Sequence, residues 1–259
     1  MRYIYLIFLF CSVTLWAQNK VSIDSLKLND VNDFFADDYG NLYLYKTKDF
    51  SFTKYDSVGN QLGKMMMTVP FKIQNVQNPL NIVLFSENSQ EVRLVDQNLN
   101  DIQKIDLTKR FGFIKAAYVE DQQMIWLLDD STKRLIQMNY RDDRVINSFP
   151  QYWSFEEVVD LLVFENKMYV LTESEFVVRN LRGDLLFQKP IVKSKRLRRE
   201  NDRIYIITQN EILKYDVQGR MNTEFSKEYS KIVDKNSSAF FELKGNNLYL
   251  YTSQKTDND

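Results

Sequence analysis

A short apolar strand, usually with an aromatic at its second position, recurs six times along the chain. The copies are Leu42-Tyr43-Leu44-Tyr45, Ile82-Val83-Leu84-Phe85, Ile125-Trp126-Leu127-Leu128, Met168-Tyr169-Val170-Leu171, Ile204-Tyr205-Ile206-Ile207 and Leu248-Tyr249-Leu250-Tyr251. Their first residues stand 40, 43, 43, 36 and 44 apart. That is the period of one small antiparallel sheet per repeat. Continuous apolar runs of this kind suit strands covered on both faces, as in sheets stacked against their neighbours.

A second marker follows the first five copies: a strand closing on Asp56, Asp96, Asn139, Asn180 or Asp216. It lies 14, 14, 14, 12 and 12 residues after the start of the first marker. The turns behind it carry Gly59, Asn98, Gly183 and Gly219, residues that tolerate the positive torsions of tight hairpins. The repeat predicts an all-β, six-bladed β-propeller. In the sixth unit the second marker would fall beyond Asp259, so that unit is expected to end after its second strand. Val21 to Leu26 is an unassigned strand, and placing it on the last blade closes the ring and removes an open edge.

The stretch Asp37-Asp38-Tyr39-Gly40-Asn41-Leu42-Tyr43-Leu44, with Tyr55-Asp56-Ser57-Val58-Gly59-Asn60 behind it, resembles the blade motif of six-bladed propellers of the NHL and lactonase-like group. The resemblance spans the mature chain as a repeat pattern and implies an architecture rather than one family. Its lactonase-like members imply carboxylate and amide ligands around a calcium on the ring axis. Asp33, Asp160 and Asn75 fall in or near inner strands, but they do not match that ligand set residue by residue.

Residues 1–17 read as a signal peptide: Arg2, an apolar run from Tyr3 to Trp16, and Ala17 at the cut. Residues 18–259 then form a single propeller domain. Phe10 before Cys11 is too large for the lipidation signal, so no acyl anchor is expected. The apolar run is shorter than the ~20 residues a spanning helix needs, and no other segment could span a membrane. The chain is expected to be exported, to the periplasm or beyond.

Histidine is absent, and the lone cysteine leaves with the leader. Ser-His-Asp and Cys-His machinery is thereby excluded, as are imidazole-held and thiolate-held metals. Removing Arg2 from the 34 basic residues leaves 33 against 35 acidic, a formal charge of −2. No basic face for nucleic acid follows from that balance. No cofactor is implied.

A propeller puts its regular turns and its longer inter-blade links on opposite faces. Lys244-Gly245-Asn246 reads as one of the regular turns. The links hold Phe111 and Phe113, then Tyr152, Trp153 and Phe155. Aromatics on irregular loops give large contact at low entropy cost, and they also serve as caps on the core beneath. Lys193, Lys195, Arg196 and Arg198 fall on the inner strand of the fifth blade, where they could contact an anion at the channel mouth or sit on a solvated strand end. The recurring Tyr43, Trp126, Tyr169, Tyr205 and Tyr249 read as packing between blades. Together these features favour a monomeric, non-catalytic binding or scaffold protein of the cell envelope, with an envelope protein or glycan as partner. The alternative is a calcium-dependent, lactonase-like hydrolase.

Overall fold

A computed structural model describes residues 28–252. The first blade holds β1 (Asp33–Ala36), β2 (Leu42–Lys46), β3 (Ser51–Tyr55) and β4 (Gln61–Met66). The second holds β5 (Lys72–Asn75), β6 (Ile82–Ser86), β7 (Glu91–Val95) and β8 (Asp101–Asp106). The third holds β9 (Ile114–Val119), β10 (Met124–Asp129), β11 (Arg134–Asn139) and β12 (Arg144–Pro150). The fourth holds β13 (Val158–Phe164), β14 (Lys167–Thr172), β15 (Glu175–Asn180) and β16 (Leu185–Pro190). The fifth holds β17 (Ser194–Glu200), β18 (Arg203–Thr208), β19 (Glu211–Tyr215) and β20 (Met221–Ser226). The sixth holds β21 (Ile232–Lys235), β22 (Ala239–Lys244) and β23 (Asn247–Thr252).

Within each sheet the strands pair antiparallel in chain order. The first strands line the axis, where β13 meets both β9 and β17, and β1 meets β21. The chain is a six-bladed β-propeller.

The core lies between blades. Second strands are covered on both faces, β6 along its whole length, whereas outermost β4, β8 and β16 are largely exposed. One cluster joins Tyr43 and Phe52 of the first blade to Phe71, Ile73, Ile82 and Leu84 of the second. Tyr43 stacks on Phe52 at 5.5 Å between centroids. Trp126, Tyr169 and Tyr205 are buried at the same blade position, while Tyr249 is half-buried.

The Asp and Asn markers have a local cause. Asp56 Oδ1 accepts from Val58 N at 3.0 Å and Asn60 N at 2.8 Å, and Asp96 and Asn180 repeat the pattern two and four residues on. A short side chain that satisfies the turn's own amides ends the third strand and starts the hairpin.

The sixth blade differs from expectation. Leu248 to Tyr251 lies on the third strand, not the second, so the described blade ends after three strands. Its true second strand, β22, carries a buried Glu242 that accepts from Ser230 Oγ at 2.7 Å and Tyr251 Oη at 2.6 Å. This buried carboxylate interrupts the apolar signature that marks the other second strands. Gly245 and Asn246 consequently join β22 to β23, and Lys244 sits over the Tyr229 ring of the preceding link. That turn belongs with the links. The leader and the Val21 to Leu26 closing strand lie outside the described residues. Just after them, Leu28 and Val31 are buried against Phe241, Leu243 and Leu248 of the sixth blade.

Candidate functional site

Each link between blades starts the same way. The amides of Met67, Leu107, Gln151, Ile191 and Lys227 donate to the hairpin between the second and third strands of their own blade, at Phe50, Gln90, Lys133, Ser174 and Asn210. The following residue is turned outward: Thr68, Thr108, Tyr152, Val192 and Glu228 are all exposed. Tyr152 is 90% and Val192 79% exposed, and Tyr229 in the next link is 74% exposed.

The other aromatics of these links anchor them. Phe155 is fully buried beneath the Lys133 ammonium, 5.0 Å from its ring centroid. Trp153 Nε1 donates to Gln151 Oε1 at 2.9 Å, and the Arg179 guanidinium lies over its ring at 5.0 Å. Phe111 packs half-buried on the core between the second and third blades, whereas Phe113 is exposed. Of the five link aromatics, Phe113 and Tyr152 therefore present surface. Val192 and Tyr229 carry no sequence signal of exposure: Val192 directly follows the buried Ile191, and neither residue belongs to a periodic pattern.

The links and the outer turns are not fully segregated. Arg110 pairs with Asp143 at 2.8 Å, and Gln151 Nε2 donates to Leu181 O at 2.9 Å, so these two links touch the outer turn of the next blade. The cumulative twist across a blade swings its outer turn toward the preceding link. At Gly183, with φ of 93°, an added Cβ would meet Gln151 Oε1 at 2.8 Å, so this turn needs glycine for conformation and for space.

The axis is crossed by ion pairs. Lys72 Nζ on β5 lies 3.1 Å from Asp160 Oδ1 on β13, two blades away. Arg196 on β17 pairs with Asp33 on β1 at 2.9 Å and Asp234 on β21 at 3.0 Å. Burial disfavours its charged form, yet Asp234 and Asp33 outweigh that penalty and raise its pKa above the ordinary arginine value. Arg198 bridges Asp38 and Glu200, each at 2.8 Å. Buried Lys235 pairs with Glu200 and lies over Tyr205 at 4.0 Å; burial lowers its pKa, with Glu200 opposing. Lys193 is exposed and Lys195 half-buried, and neither has an ion pair among the described residues. The basic run thus divides into two arginines committed to carboxylates and two lysines that are not.

The acidic residues near the axis are likewise engaged. Asp160 accepts from Leu197 N at 2.7 Å and Leu161 N at 2.9 Å, Asp234 from Ala36 N at 2.8 Å, and Asn75 Oδ1 from Gln77 N at 2.7 Å. The bonds from Leu197 and Ala36 tie one blade to the next, and the other two are local. Asn75 and Asp160 line one axial space that Asp33 does not, and no group of three or more Asp and Glu side chains that could hold a metal occurs among the described residues.

No protein-family model and no curated protein matches the chain. Solved structures do. A streptogramin B lyase aligns with a TM-score of 0.56 at 10% identity, covering 92% of this chain and 87% of the lyase. A hydrazine synthase of Kuenenia stuttgartiensis aligns at 0.50 and 10% identity, over 84% of this chain and 74% of that one. At such identities the likeness is one of fold alone.

Proposed function

We propose that this chain is an exported, non-catalytic propeller that binds or scaffolds an envelope protein or glycan through its inter-blade links. The observation that carries the reading is the exposure of Tyr152, Val192 and Tyr229 in three consecutive links, each fixed by an amide anchored to a hairpin. Large apolar side chains held on a rigid backbone lose little entropy on contact, which is how binding surfaces gain affinity. Phe113 extends the surface, while Trp153, Phe155 and Phe111 hold the links in place. Lys193 and Lys195 add unpaired positive charge beside Val192.

Against the hydrolase alternative, a general base needs a carboxylate within reach of substrate and not already committed. The axial carboxylates instead accept from arginine, lysine or backbone amides. Export rests on the leader read in residues 1–17.

Crosslinking pull-down from envelope extracts tests the reading, comparing the mature chain with a Tyr152→Ser, Tyr229→Ser variant. A partner captured by the first and lost by the second, at unchanged melting temperature, supports it. Equal capture by both would overturn it.

A further inference from the structure

The sixth blade presents a bare edge: among the described residues β23 pairs with β22 alone. The other five blades cover that edge by one rule. The last residue of the outer strand stands opposite the first residue of the third strand, as in Met66 with Ser51, Asp106 with Glu91, Pro150 with Arg134, Pro190 with Glu175 and Ser226 with Glu211. The next residue opens the link, with its amide on the hairpin before the third strand. Leu28 falls in that opening place. It is buried like Met67, Leu107 and Ile191, and it stands five residues before β1, as Met67 stands before β5 and Lys227 before β21.

Counted back from the residue that opens the link, two positions of the outer strand carry a signature. The second residue back is Met65, Ile105, Phe149 or Phe225 in four blades, and each shares a core cluster with the third-strand residue it faces, Phe52, Val92, Leu135 or Ile212. The fifth residue back is Leu62, Ile102, Ile146 or Leu186 in four blades, and each is the residue that the ladder skips. Such a bulge sets two residues against one and sharpens the local twist. Counted back from Leu28, the second residue is Leu26 and the fifth is Ile23. Both places carry the residue type that the other blades put there.

We propose that residues 22–27 form the fourth strand of the sixth blade, antiparallel to β23, in one register: Lys27 opposite Asn247, Leu26 opposite Leu248, Ser25 opposite Tyr249, Asp24 opposite Leu250, Ile23 bulged, and Ser22 opposite Tyr251. Leu26 then joins Leu28 and Leu248 in the core between the sixth and first blades. The Leu28 amide donates to Asn246 O, as the Ile191 and Lys227 amides donate to Ser174 and Asn210 in the other two-residue hairpins. The assignment adds a register to the closing strand read from the sequence, and it does not depend on the function proposed for the links.

Disulfide trapping in the mature chain, which from residue 18 onward contains no cysteine, tests the register. Because Leu28 and Asn246 are hydrogen-bonded partners, the next pair, Lys27 with Asn247, is not, and its Cα atoms lie ~4.5 Å apart, a span that a disulfide bridges. Lys27→Cys with Asn247→Cys, and separately Ser25→Cys with Tyr249→Cys, should oxidise to disulfides within single molecules and melt higher than their reduced forms. Ser25→Cys with Asn247→Cys is two residues out of register and should stay reduced. Equal oxidation of that pair, disulfide-linked dimers in place of monomers, or no disulfide from either in-register pair would overturn the proposal. Hydrogen exchange of the unsubstituted chain decides the matter without cysteines: the Leu248 and Leu250 amides, set against the Leu26 and Asp24 carbonyls, should be protected, and rapid exchange of both would overturn the register.

Discussion

Arg196 Nη1 lies 2.9 Å from Asp33 Oδ1, so a guanidinium on the fifth blade holds the first blade across the inner end of the sixth. The same group reaches Phe34 O at 2.8 Å and lies over Phe35 at 4.1 Å. Arg196 is 4% and Asp234 2% exposed. Replacing Arg196 by Met leaves buried carboxylate charge unpaired and should cost about 3–5 kcal/mol. Adding Asp234→Asn should return part of that loss, because the two residues share one interaction. Urea unfolding of the two variants checks both statements; a loss below about 1 kcal/mol in the single variant contradicts the first.

Alkaline pH should destabilise the ring through its buried tyrosines. Tyr169 is pushed up to about 12 by burial, then by the charges of Tyr215 and Glu165. Tyr205 is pushed up to about 12 by burial, then by Glu200. A phenol whose folded pKa exceeds its unfolded value of 10.0 contributes stability that is complete below pH 10 and lost as pH rises through 12. Chemical denaturation between pH 8 and 12 should therefore show a flat region followed by a decline. Tyr169→Phe with Tyr205→Phe should make that decline shallower. An unchanged slope in the double variant would remove these two residues as its cause.

The blade repeat was legible because it is written in local chemistry. Second strands are apolar along their length since both faces are covered, and Asp56, Asp96, Asn180 and Asp216 recur since each satisfies amides of its own turn. Glu242 hid the second strand of the last blade, because its partners Ser230 and Tyr251 lie on other elements. The axial pairs were hidden for the same reason: Arg196 and Asp33 are 163 residues apart in sequence. The inner strands of the ring fixed the neighbourhood of Lys193 to Arg198, yet which of these residues would be neutralised depended on carboxylates brought from other blades.

Ring closure by the N-terminal strand can be tested by truncation. Among the described residues β23 has a partner on one side alone, and Leu28 and Val31 already pack on the sixth blade. Removing residues 18–27 while keeping Leu28 should expose the β23 edge. At ~0.5–1.5 kcal/mol per backbone hydrogen bond, loss of a short strand should cost about 2 kcal/mol or more and promote aggregation. A truncated chain as stable and monomeric as the parent would show that another element covers that edge.

Site-specific photo-crosslinking in cells that make the protein tests the proposed binding surface most directly. A photoreactive residue is placed in turn at Tyr152, Val192 and Tyr229 on the links, and at Tyr39 and Leu80 on the turns joining first and second strands, all of them exposed in the free chain. The account predicts a discrete adduct from the three link positions and none from the two turn positions. Adducts from Tyr39 or Leu80 alone, or no adduct from any link position, would contradict it.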